Sequence, residues 1–208
     1  YYPQDVAREV KEKTGELFDR LYRIYETKIK PELAAKKVRI KKASALDAEQ
    51  QKFVKRFFDT TLYPIITPMA IDQGHPFPVL ASKTIAFAVH LTRKDATHLA
   101  VIPVPSGVSR LMKLPSSKDS YDFILIDEII RDNLKSFFRG YEIAGASLFR
   151  LIRDSELMVD EEFSPHLLQS IEAEVNKRPR AKVLQLMIER GCPDTLQDVL
   201  TEAIGFLK

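Results

Sequence analysis

His75-Pro76-Phe77-Pro78 places a titratable ring between rigid residues in the middle of an apolar stretch, "IDQGHPFPVL". A histidine so placed could act as a general acid or base, ligate a metal, or mark a structural corner. Proline fixes its own backbone angle and pushes the preceding residue out of the helical region. His75 and Phe77 are therefore expected to be extended. Pro64 and Pro68 upstream make the whole segment a stiff, non-helical traverse. Phe77 would be pinned into the core, and His75 would sit near the surface or against a carboxylate such as Asp72. No second catalytic group lies close in sequence, so the rigid entry into a sheet is the favoured reading.

The other chemistry-bearing residues are dispersed. His90, His98 and His166 do not form an H-E-x-x-H pattern or another metal-ligand spacing. His90 and His98 flank "LTRKDATH", which reads as a hairpin turn at the surface, and His166 falls in the first turn of a helix. Cys192 lies in "RGCPD" just before the last helix. It has no partner for an internal disulfide, and a lone thiol is more often inert than catalytic. Neither G-x-x-x-x-G-K-S/T nor G-x-G-x-x-G occurs, and seven glycines offer little for a phosphate-cradling loop. The basic residues Arg150, Arg153, Lys177, Arg178, Arg180 and Lys182 admit two readings. One is favourable placement of cations near a helix C-terminus. The other is a polyanion surface, since arginine forks suit phosphate oxygens; Asp160, Glu161 and Glu162 dilute it.

The elements that would position these residues follow from periodicity. Val6, Val10, Leu17, Leu21, Ile24 and Tyr25 recur at three- and four-residue steps and predict a helix over 4–35, with Pro31 near its end. "AAKKVRIKKAS" is a basic connector with a short strand at Val38–Ile40. A second helix follows, with Asp47 as N-cap and Gln50 as its capping-box partner. Beyond Pro64 the runs 84–91, 98–104 and 110–115 predict strands. Residues 126–138 read as a helix stopped at Gly140, and 146–154 as a strand. A helix capped by Ser164 with Pro165 at its first position covers 164–178. A strand at 182–190 and a helix at 193–207 complete an α+β pattern of small mixed or antiparallel sheets with packed helices, preceded by two N-terminal helices.

The 208 residues are 45% apolar and 29% charged, with net charge +3. These values fit a globular chain with a buried core. No apolar run approaches the roughly 20 residues that a membrane-spanning helix needs, and the net charge gives no charge-based case for nucleic acid. The N-terminus has no apolar signal region and no initiator Met, which fits a processed chain or part of a longer one. A cytoplasmic setting is expected from the lone cysteine.

Four stretches in order carry a family likeness: "LYPIITPMAIDQGHPFPVLASKTIAFAVHL", "VIPVPSGVSRLMKLP", "FILIDEIIRDNLKSFFRGYEI" and "LFRLIRDSELMVDEE". Together they resemble the middle, or head, domain of ATP-dependent polyphosphate kinases over roughly residues 45 to 207. The resemblance implies two domains: 1–44, the helical end of an N-terminal domain with its connector, and 45–208, the middle domain. It implies a parent enzyme that moves the terminal phosphate of ATP reversibly onto inorganic polyphosphate, using Mg²⁺ and a phosphohistidine. It assigns catalysis to two C-terminal domains that resemble phospholipase D and adenine binding to the N-terminal domain. No catalytic, cofactor-binding or metal-binding role therefore carries over to residues here. His75, Pro76, Phe77 and Pro78 stand as a structural signature. The partners implied are the other domains of the same chain, a second copy in a dimer, and polyphosphate. The alternatives are a stand-alone interaction module using the first helix, and a polyanion-binding domain using the six basic residues. This chain departs from the family pattern at Ser82-Lys83, where Asn is usual, at Ile152, where Thr is usual, and at "RPRAK", where glycine is common.

Overall fold

The helical spacing of the N-terminus is realised as α1 (Pro3–Ile24), a π-helical turn (Tyr25–Ile29) and α2 (Lys30–Ala35). The structure, a computed structural model, describes residues 3–72, 74–94, 96–154 and 181–205. Pro31 gives a reason for the π turn. It has no N–H, and its ring crowds the carbonyl four residues back. The ladder widens just before it, so that the Lys30 N–H reaches the Tyr25 carbonyl. The same event recurs at Phe58–Leu62, a π turn that ends two residues before Pro64, where the Tyr63 N–H bonds to the Phe58 carbonyl. Thus Pro31 widens the helix and the chain stays helical to Ala35.

The chain divides into two compact units. The first comprises 1–56 and 109–128. Its sheet has the order β1-β6-β5, with β1 (Val38–Lys41) parallel to β6 (Tyr121–Leu125) and β5 (Leu111–Lys113) antiparallel to it. The helix α3 (Ala48–Phe57) opens with the expected capping box. The Gln50 N–H donates to Asp47 Oδ1 at 2.9 Å and the Asp47 N–H to Gln50 Oε1 at 3.4 Å. Along α1, Val10, Leu17 and Leu21 are exposed, an apolar stripe with no cover among the described residues.

The second unit comprises 57–108 and 129–208. Five antiparallel strands lie in the order β2-β4-β3-β7-β8: β2 (Met69–Ile71), β3 (Ile85–Arg93), β4 (Ala96–Pro103), β7 (Glu142–Arg153) and β8 (Val183–Ile188). Alternation along these strands buries both faces. Ala86, Ala88, Leu99, Val101, Phe149 and Leu151 pack with Leu196 and Leu200 of the C-terminal helix Asp194–Ile204. On the other face Phe87, Val89, Ala100 and Ile102 are fully buried. The Arg131 guanidinium lies over the Phe87 ring at 5.0 Å. Phe58, Tyr63 and Phe137 form a ring cluster with centroids 5.3–5.8 Å apart. Helices α4 (Tyr63–Ile65), α5 (Ile126–Asp132) and α6 (Leu134–Phe137) are short. The C-terminal helix is α7 in this order. It ends at Gly205, whose φ of 70° is the left-handed cap that glycine adopts without strain.

Several expectations change. The traverse after Pro64 contains β2, and the apolar run before Ile126 is β6; residue spacing predicts neither strand. β3 continues three residues beyond His90, and His98 pairs inside the hairpin with Leu91. Strand pairing there reaches to Arg93 and Ala96, so the turn is shorter than "LTRKDATH" suggests. The expected helix over 164–178, with Ser164, Pro165 and His166, lies outside the described residues.

Candidate functional site

The proline corner is locked from both ends. At its start, Asp72 Oδ1 accepts the Gly74 N–H at 2.8 Å and the His75 N–H at 2.9 Å, and lies 3.0 Å from His75 Nδ1. The backbones close the loop: the Asp72 N–H donates to the His75 carbonyl at 3.0 Å and the His75 N–H to the Asp72 carbonyl at 3.2 Å. The His75 ring first, and then the Gly74 N–H, hold the Asp72 carboxyl below its ordinary pKa. His75 is exposed, as is Asp72. Phe77 packs against the core, its ring 6.2 Å from that of Phe149.

At the far end, Arg153 is the clasp. Its Nε donates to the Leu80 carbonyl at 2.9 Å and its Nη1 to the Ala181 carbonyl at 2.7 Å. Its own N–H reaches Ser82 Oγ at 3.0 Å, and the Lys83 N–H reaches the Leu151 carbonyl at 2.8 Å. Burial lowers the pKa of this guanidinium. Lys83 holds a φ of 69°, a left-handed conformation unusual for a side-chain-bearing residue, in the turn before β3.

The six basic positions are not gathered at one point among the described residues. Arg150 and Arg153 stand three apart on β7, and odd spacing on a strand sends them to opposite faces. Arg153 lies on the face of Leu80 and Leu151. Arg150 sits between Ile85 and Met187, its Nη2 3.1 Å from the Met187 sulfur. The Lys182 carbonyl accepts the Asp154 N–H at 2.9 Å. Lys177, Arg178 and Arg180 lie outside the described residues. His98 meets Tyr141 edge-on at 5.6 Å, with Arg93 over the same ring at 5.4 Å. Cys192 is a half-buried free thiol. Among the described residues no group of three or more His, Cys, Asp or Glu is arranged to hold a metal, and no helix is long and apolar enough to cross a membrane.

Sequence reasoning missed a polar hub in the first unit. Asp122 is buried on β6 and accepts Arg39 Nε at 2.8 Å, Lys41 Nζ at 3.0 Å and Gln50 Nε2 at 3.0 Å. Gln50, also buried, spends its second Nε2 proton on the Pro115 carbonyl at 2.8 Å and accepts Lys41 Nζ at 2.9 Å. Burial raises the Asp122 pKa. The hydrogen bonds from Lys41, Arg39 and Gln50 outweigh that and leave it below the ordinary value. Buried Asp127 is gripped in the same way by the Arg110 fork. In the second unit Arg131 bridges to both Glu189 oxygens, at 2.9 and 2.7 Å, and Glu189 accepts the Leu148 N–H at 2.9 Å. The signal for the first two was present: Asp122 and Asp127 interrupt the apolar run "YDFILIDEII", and buried carboxylates need partners. What these groups do is hold backbone; the hydrogen bonds of both clasps end on carbonyls, amides and opposite charges.

A family model described as the polyphosphate kinase middle domain matches residues 49–207. The chain is 31% identical over 195 residues to a polyphosphate kinase of Halalkalibacterium halodurans, covering 92% of this chain and 28% of that one. It is 32% identical over 206 residues to one from an Exiguobacterium species, covering 95% and 28%. It is 30% identical over 204 residues to one from Neisseria gonorrhoeae, covering 95% and 30%. The chain thus spans under a third of the length of these relatives. In fold it is similar to the crystal structure of polyphosphate kinase from Porphyromonas gingivalis, with a TM-score of 0.79 and 20% identity, covering 98% of this chain and 29% of that one.

Proposed function

The chain belongs to the polyphosphate kinase middle-domain family, and on that premise we propose that it is a non-catalytic architectural and dimerisation element of a larger kinase. The parent reaction is reversible transfer of the ATP γ-phosphate to inorganic polyphosphate in the cytoplasm, with Mg²⁺. Its partners are the other domains of its own chain and a second copy, and nucleic acid is not among them. The domains divide at 44/45, the helical segment before it and the middle domain after it.

The observation that carries this reading is the uncovered stripe on α1. Val10, Leu17 and Leu21 are 58%, 66% and 56% exposed. They run along a helix about 33 Å long at 1.5 Å per residue. Apolar side chains set in one row at helical spacing are seats for another surface. The clasps support the same reading, because Asp122 is committed to Arg39 and Lys41, Asp127 to Arg110, and Arg153 to the Leu80 and Ala181 carbonyls.

Phosphoryl transfer depends on positioning and charge stabilisation around the transferred group. The test is direct. The purified 208-residue chain, given ATP, Mg²⁺ and a polyphosphate primer, makes no polymer. Dose-dependent polymer synthesis refutes the reading. Leu21→Glu should then leave the fold intact and abolish any self-association measured by light scattering.

A second reading, a polyanion surface on Arg150, Arg153, Lys177, Arg178, Arg180 and Lys182, is favoured by one observation. The half-buried Arg150 guanidinium contacts a thioether and no carboxylate among the described residues. Such binding weakens steeply with salt as counterions are released; salt-independent binding of polyphosphate removes it.

A further inference from the structure

Among the described residues β1 is an edge strand with no strand on its far side. In the parallel ladder, the Lys37 carbonyl accepts the Tyr121 N–H at 2.8 Å. Backbone groups alternate in direction along a strand, so Arg39 and Lys41 also aim theirs at β6. Val38 and Ile40 aim their N–H and C=O groups away from it. Among the described residues β1 pairs with β6 alone, and Val38 and Ile40 are only half-buried. Unpaired edges template another strand unless they are covered or blunted by proline or charged side chains; the cations here disfavour a second basic edge and leave an acidic strand as the complementary one.

The open edge lies in a groove of about 480 Å³, lined by Tyr25, Leu33, Val38 and Ile40 and by the cations Arg39 and Lys42. The two kinds of lining are sorted by strand alternation. Arg39 stands opposite Asp122 in register and Lys41 opposite Ile124, so both share the face of Asp122, and Val38 and Ile40 occupy the other. Between Glu32 and Asp47 the chain carries Lys36, Lys37, Arg39, Lys41 and Lys42 and no acid. Asp122 neutralises one charge of the Arg39–Lys41 pair, and Lys42 is exposed with no carboxylate partner among the described residues.

We propose that this edge is a docking strand that takes an extended acidic peptide of a partner polypeptide as an added strand beside β1. Its backbone pairs with the outward groups of Val38 and Ile40. Its alternate side chains are apolar toward Tyr25 and Leu33 and acidic toward Arg39 and Lys41, and its end passes Lys42, the exposed cation just beyond β1. Strand addition draws affinity from main-chain hydrogen bonds and specificity from the alternating pockets. The apolar half of the groove selects a peptide over inorganic polyphosphate, which has nothing to place there. The proposal does not depend on the dimerisation role.

The test uses the 208-residue chain and a synthetic six-residue peptide of alternating Val and Glu, blocked at both ends. Binding is followed by isothermal titration and by amide hydrogen exchange. The expected result is saturable binding with slowed exchange at Val38 and Ile40. Ile40→Pro removes an outward N–H without touching the β6 ladder, and should abolish binding. Lys42→Glu leaves the backbone alone and serves if the proline variant fails to fold. It should weaken binding roughly fivefold, the upper range for one exposed ion pair. The proposal is overturned by absence of binding or by equal binding of a Ser/Glu peptide. It is equally overturned by binding that leaves Val38 and Ile40 exchange unchanged, or by polyphosphate of equal charge protecting the same amides as well as the peptide does.

Discussion

Replacing Asp122 by Asn should loosen the first unit far more than a single surface charge would. The Asp122 carboxylate is buried and takes hydrogen bonds from Arg39, Lys41 and Gln50. The amide keeps the shape but turns its NH₂ toward at least one of these donors, the Arg39 guanidinium, and leaves Lys41, only 16% exposed, without its counter-charge. Breaking a buried pair by removing one partner costs about 3–5 kcal/mol. Arg39 is half exposed and can rehydrate, which places the expected loss near the low end, about 3 kcal/mol. Because the chain has two units, one melting transition would mix them. Amide exchange at Phe123 and Ile124, inside β6, reads the first unit alone. A loss of about 3 kcal/mol speeds exchange there roughly 100-fold. The effect has a pH signature. A carboxyl whose folded pKa is depressed contributes stability above its unfolded value of 3.8 and loses it as pH falls through the lower folded value. The stability gap between the parent chain and its Asp122→Asn variant should therefore be full at pH 7 and should close in strong acid. A change under about threefold in exchange at pH 7 would refute the hub.

Arg153→Ala strips the donors from the Leu80 and Ala181 carbonyls and should cost about 2 kcal/mol; the same change should raise protease sensitivity around 78–82 in limited proteolysis. Leu200→Ala empties a fully buried position beneath the large sheet, and should lower the second unit's stability by about 2–5 kcal/mol in urea unfolding. The Asp72 lock opens in acid. With its pKa held below the ordinary carboxyl value by His75 and Gly74, its bonds persist through the ordinary carboxyl titration range and fail only in stronger acid. The Gly74 and His75 amide shifts in NMR should titrate together there; independent titration counts against a shared acceptor.

Much of the fold was legible because periodicity and caps agree. The Asp47–Gln50 box, the strand at Val38 and the C-terminal helix all stand within a few residues of expectation. Asp72 as the partner of His75, and Phe77 as a core residue, were legible from proline's restriction of its neighbours. β2 was hidden because Pro64 and Pro68 lie just ahead of it and it makes only three pairs, all with β4. β6 was hidden because it runs without a turn into α5, so one apolar run serves two periods. The clasps escaped because they are long-range: Arg39 and Asp122 lie 83 residues apart, Arg153 and Leu80 lie 73 apart. Spacing along the chain carries no trace of such pairs. The proline-coupled π turns were legible only in part, since Pro31 marks the distortion and not its form.

The central claim is that this chain works as the middle of a larger kinase. The most direct measurement is the intact mass of the native protein, captured from its source cells with an antibody raised to these 208 residues. Relatives of which this chain spans 28–30% predict a species roughly three to four times the 23.8 kDa of the chain. A native species at 23.8 kDa would contradict the account and leave a free-standing binding module in its place.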